Sequence, residues 1–175
     1  RRDNTVGPIE ITFVVLLLVS MIVGIVRGYP RELGVTTMLP VALFVLEFLD
    51  ERYQGVLNRG LTLLTGQAAA GPVRAWAYVI VLVVIAFISY QGQTLQFPGR
   101  GGRTFFDVGT GLLNGYLLAG SIWYYLHQAG WPGLPVSAPF SAFYQAIVQL
   151  LPPAVFSWPY FIGLAVILLI ARVWR

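Results

Sequence analysis

Cysteine and lysine are both missing from this sequence, and histidine occurs once. Without cysteine there are no disulfides and no thiolate metal sites. One histidine, His127, cannot build a zinc site, which needs about four ligands. Charge is scarce as well. Charged residues make up 10% of the 175, where a soluble domain carries roughly a quarter. That excludes a polar surface large enough to cover a globule in water. All eleven basic residues are arginines, and they give a net charge of +4. They do not form the stripe a nucleic-acid binder presents. They stand in ones and twos at the ends of apolar runs, where loop charges set membrane orientation. No partner among nucleic acids is expected.

What is abundant is apolar length. Hydrophobic residues make up 57% of the chain, and its mean hydropathy is +0.75. About 20 apolar residues cross the hydrocarbon of a bilayer as a helix. Four runs approach that length: Ile9–Val26, Leu33–Leu49, Val73–Tyr90 and Val108–Leu126. A fifth, Val155–Ala171, ends at Arg172 and Arg175. Backbone groups in lipid must be paired internally, so each run is expected to be helical. The alternation of a membrane barrel is nowhere sustained. The fold class expected is therefore an all-α polytopic transmembrane bundle, with four core spans and a fifth C-terminal span in one membrane domain. Arg27 follows the first run without a small-residue cleavage site, so that run reads as a retained anchor.

The joins differ in character. The first is a tight hairpin, in which Gly28 relaxes the backbone and Pro30 suits a first helical turn. The second, Asp50–Pro72, has Val56, Leu57, Leu61 and Leu64 spaced as a short helix lying at the interface. The third, "QGQTLQFPGRGGR", reads as a flexible loop. The fourth, "HQAGWPGLPVSAP", carries no formal charge. After it, Phe140, Phe143, Tyr144, Ile147, Val148 and Leu151 share one helical face, which either floats among headgroups or packs on the bundle. Arginines divide five against six between the two sides, and the charge-free fourth join points to an N-terminus outside.

With four spans, the first and third joins share one membrane side. Arg27, Arg31, Glu32 and Asp107 then lie together, and Asp107 is expected to pair with Arg27 or Arg31 and tie two hairpins. Small residues recur at every fourth position: Ser20, Gly24 and Gly28 in the first run, Gly111, Gly115 and Ala119 in the fourth. Such stripes let helix backbones approach closely in lipid. They either pack the first helix on the fourth or form a face for a protein partner. Glu47 is expected at the interface, paired with Arg52. His127 is expected in an aromatic belt, with a pigment or haem ligand as the sharper reading. No cofactor is expected, and no nucleotide loop or catalytic set stands out.

The hairpin "RGYPREL" resembles the Arg-Gly-x-x-Arg-Glu-Leu signature of the colicin V production (CvpA) family of bacterial inner-membrane proteins. Asp107, Gly111, Gly115 and Ala119 resemble its later Asp-x3-Gly-x3-Gly-x3-Gly stretch. The likeness covers about residues 9–151. Pro30, Val108, Ala119 and the fifth run depart from the pattern. The resemblance implies a small non-enzymatic four-helix protein of the bacterial inner membrane, linked to toxin production or export and envelope functions. It supplies no catalytic residue. Two other readings are open: an accessory subunit of a photosynthetic or respiratory complex, and a transporter or channel for a neutral solute.

Overall fold

A computed structural model describes residues 7–67, 69–91, 104–136 and 140–174. Among them there are helices and no strand. The elements are α1 (Pro8–Arg27), α2 (Tyr29–Thr65), α3 (Ala70–Gln91), α4 (Thr104–Gln128), α5 (Ala142–Val148), α6 (Pro152–Val155) and α7 (Trp158–Val173). The glycine-rich third join, with Arg100 and Arg103, lies outside the described residues, as do Arg1, Arg2 and Arg175.

A single residue separates α1 from α2. Gly28 adopts φ +80° and ψ 149°, and its N–H closes α1 on the Gly24 carbonyl at 2.9 Å. A side chain there would meet a backbone conformation essentially reserved for glycine. Pro30 follows within the first turn of α2, where its missing N–H is harmless.

Three expectations are corrected. The second run and its presumed interfacial helix are one helix: α2 continues to Thr65, where Gly66 at φ +82° stops it. Asp50, Glu51 and Arg52 end the apolar run, but nothing in their backbone chemistry ends a helix. At about 1.5 Å per residue α2 reaches about 55 Å, well beyond a hydrocarbon core of about 30 Å. Next, α4 begins at Thr104, ahead of the fourth run at Val108, so Asp107 stands within its first turn. Last, the fifth run is broken. Pro152 and Pro153 start α6, the chain extends at Phe156 and Ser157, and α7 has 16 residues. Among the described residues three helices, α1, α2 and α3, are long and apolar enough to cross a membrane, which marks a membrane protein.

The helix α4 is the hub, in contact with α1, α2, α3 and α6. Because protein surrounds much of it, it carries Asp107, Asn114 and Ser121 buried without exposing them to lipid. One core joins α2, α3, α4 and α7 through Val35, Leu39, Leu43, Leu82, Leu117 and Phe161. A second joins α1, α4 and the segment after α4, through Phe13, Trp123, Trp131, Tyr144 and Leu151. The face after the fourth run therefore packs on the bundle, although Phe143 points outward. Pro152 lies against Gly120, where an added Cβ would sit 2.7 Å from its ring. Gly120 is about 12 Å from the end of α4, so this segment folds back along the helix before α7 begins. The outer faces carry Ile11, Val15 and Val19 on α1, Val84 and Phe87 on α3, and Ile167 on α7, all exposed. Apolar surface in that amount belongs against lipid.

Candidate functional site

The Gly28 turn brings Arg27, at the end of α1, back over Glu32 in the first turn of α2. Glu32 is wholly buried, and the Arg27 side chain is 20% exposed. Arg27 Nη1 donates to Glu32 Oε1 at 3.1 Å, and Nη2 donates to the Tyr90 carbonyl at 2.9 Å. That carbonyl is one of those the last turn of α3 leaves without a helical partner. The guanidinium also stacks 4.6 Å from the centre of the Tyr90 ring. Tyr90 Oη donates to Glu32 Oε2 at 3.3 Å, and Asn114 Nδ2 donates to the same oxygen at 2.8 Å and to the Glu32 carbonyl at 3.0 Å. Thr36 Oγ1 lies 2.8 Å from Asn114 Oδ1 and 2.9 Å from the Glu32 carbonyl, so its one proton serves one of them at a time. A buried carboxylate is expensive unless paired and hydrogen-bonded. Here donors from α1, α3 and α4 converge on it, and the four long helices are locked at one end.

Asp107 closes the same end by a route the sequence did not suggest. It pairs with neither Arg27 nor Arg31. Its Oδ1 accepts the backbone N–H of Tyr29 at 2.6 Å. The start of α2 carries unpaired N–H groups and partial positive charge, and Asp107 supplies from α4 the cap that Gly28 cannot. Arg31 is exposed, one position and about 100° around the helix from Glu32. Ion pairs join Arg27 to Glu32 and Arg74 to Asp50.

Beside this latch runs the small-residue seam. A Cβ on Gly24 would sit 2.4 Å from the Asp107 carbonyl and 2.7 Å from Gly111 Cα. One on Gly111 would sit 2.5 Å from the Ser20 carbonyl, and one on Gly115 would sit 2.7 Å from Ser20 Cβ. The two stripes thus face each other, α1 on α4, at a distance only glycine permits. Ala119 continues the seam, buried in the second core.

The other end is held differently. Glu47 accepts from Tyr125 Oη at 2.8 Å and does not pair with Arg52, which is exposed. Glu10 is buried and accepts from Ser141 Oγ at 2.6 Å, while Ser141 also caps α5 at Tyr144 N. The Tyr144 oxygen accepts from Trp131 Nε1 at 2.8 Å and lies 2.9 Å from His127 Nδ1, within hydrogen-bond distance. Burial pushes the Tyr144 hydroxyl above its ordinary range. His127 is thereby engaged by a phenol and by the rings of Phe140 and Tyr144. No three potential metal ligands cluster among the described residues.

Asn114 and Tyr90 are the site residues that sequence reading missed. Asn114 is the one side-chain amide in the fourth apolar run, which was the available signal. Tyr90 ends the third apolar run and carries no other signal in the sequence. Compared with family models, curated proteins and solved structures, the chain matches none.

Proposed function

We propose that this chain is a non-enzymatic, CvpA-like multi-pass protein of the bacterial inner membrane that organises or assists an envelope or export process. In this reading α1 to α4 are four core spans and α7 is the added C-terminal element. One observation carries it. Most residues behind the resemblance hold helices together: Arg27 pairs with Glu32, Gly28 turns the chain, Asp107 caps α2 at Tyr29, and Gly111 and Gly115 seat α4 against Ser20 of α1, while Arg31 is exposed. Their polar atoms are occupied with holding helices together, so the motif reads as scaffold and not as a reaction centre.

The test is expression in a bacterium whose own CvpA-family gene has been deleted. Restored colicin V production supports the reading. Failure to restore it, by a protein shown to be inserted and folded, refutes it. A second reading, an accessory subunit of a larger membrane complex, is favoured by the far end of α2. Leu63 and Leu64 stand 87% and 83% exposed there, beyond the apolar run. Native gels and mass spectrometry after mild extraction separate the two. Stoichiometric co-migration with photosynthetic or respiratory subunits indicates the second. Migration alone or as a homo-oligomer indicates the first.

A further inference from the structure

Opposite the latch, α2, α3 and α4 line an open cavity of about 260 Å³ whose lining includes Asp50, Gln54, Arg74, Tyr78, Tyr124 and Gln128. Its walls come from the point where the apolar run of α2 ends, the first turns of α3 and the last turns of α4. In a bilayer this is headgroup depth, where a polar hollow meets polar lipid atoms and not acyl carbon.

The charges in it are incompletely used. Arg74 Nη1 approaches Asp50 Oδ1 and Asn58 Oδ1, both at the long distance of 3.3 Å. Tyr78 Oη donates to the same Oδ1 at 2.8 Å. Both members of the pair keep solvent access, 24% for Arg74 and 30% for Asp50. Among the described residues, the protein hydrogen bonds of Arg74 run through Nη1 alone and those of Asp50 through Oδ1 alone. A guanidinium has five donors in a flat fork suited to phosphate. One edge of that fork and one carboxylate oxygen therefore remain for a ligand. Tyr78 packs edge-on to Tyr125 at 5.0 Å, and Tyr124 packs on Tyr125 at 5.5 Å, which gives the hollow an aromatic wall attractive to an ammonium.

We propose that this cavity binds a zwitterionic phosphoethanolamine group, with its phosphate on Arg74 and its ammonium on Asp50 beside the tyrosine rings. A ligand of one sign is disfavoured, because a pure anion meets Asp50 and a pure cation meets Arg74. A choline group has no N–H to give Asp50. The inference rests on the membrane placement proposed above, and not on the process assigned there. The same chemistry is offered by a lipid headgroup and by free phosphoethanolamine.

Native mass spectrometry of the purified full chain tests this, in micelles doped equally with phosphatidylethanolamine, phosphatidylglycerol and phosphatidylcholine. Phosphatidylethanolamine adducts should exceed each of the others about tenfold or more, the discrimination expected from one charge-assisted contact. Arg74→Gln and Asp50→Asn should each abolish that excess, and Tyr78→Phe, which keeps the ring, should retain most of it. Free phosphoethanolamine should compete with the lipid; if it binds while the lipid does not, the source is soluble. Equal retention of the three lipids with no binding of free phosphoethanolamine overturns the proposal, as does an excess unchanged in both charge variants. Should either variant fail to fold, the headgroup comparison on the unaltered protein decides. These outcomes leave the membrane bundle standing. A sample monodisperse in buffer without any amphiphile would remove both.

Discussion

Each end of the bundle holds an arginine paired with a carboxylate, and the two pairs do different work. At the Glu32 end the carboxylate is wholly buried, Arg27 uses both terminal nitrogens, and Tyr90 and Asn114 complete the set. At the Asp50 end the two charges meet at 3.3 Å through one nitrogen, beside an open cavity. An ion pair becomes structural when burial removes water as an alternative partner and further donors saturate the charge. Left part-exposed and half-satisfied, the same two residue types hold little and remain available to a ligand.

The strongest test of this contrast is Arg27→Ala, which strands Glu32 without a counter-charge. It should cost about 3–5 kcal/mol, read from denaturant or thermal unfolding in detergent. The matched change Arg74→Ala should cost less than about 1 kcal/mol, because that pair is solvated. Equal losses would break the comparison. Gly111→Val should come next. Its Cβ collides with the Ser20 backbone, and overpacking of this kind costs about 1–3 kcal/mol. Asp107→Ala removes the cap on Tyr29 N–H and should cost about 1 kcal/mol, while Asp107→Asn should keep most of it. Arg31→Ala, at an exposed position of the same motif, should stay within about 0.5 kcal/mol of the unaltered protein. A large effect there would show that the hairpin arginines act together and not singly.

Much of the scaffold was legible without coordinates. The runs around Val19, Val35, Leu82 and Leu117 are helical because a lipid-bound backbone has few other ways to pair its groups. The seam of Gly24 and Gly111 showed in its four-residue spacing. The partner of Asp107 did not. Alternation of spans tells which end of the bundle a residue occupies, but not which way it points around its helix. A guanidinium and a helix N-terminus are both attractive to a carboxylate, and only the Gly28 turn chose between them. The unbroken α2 was missed for a related reason. Charges at Asp50 and Glu51 signal where lipid ends, which is not where a helix must end.

Composition and the order of apolar runs alone settled that this chain is a helical protein for a membrane, with a glycine-hinged hairpin near its start. Those features are local, following from transfer energies and backbone sterics read residue by residue. The convergence of Arg27, Tyr90 and Asn114 on Glu32, and the loose Asp50–Arg74 pair beside its cavity, were decided only when the helices packed. Both depend on the relative rotation of helices, set by how the Gly24–Gly111 seam and the two cores fit together, and no single segment contains that information.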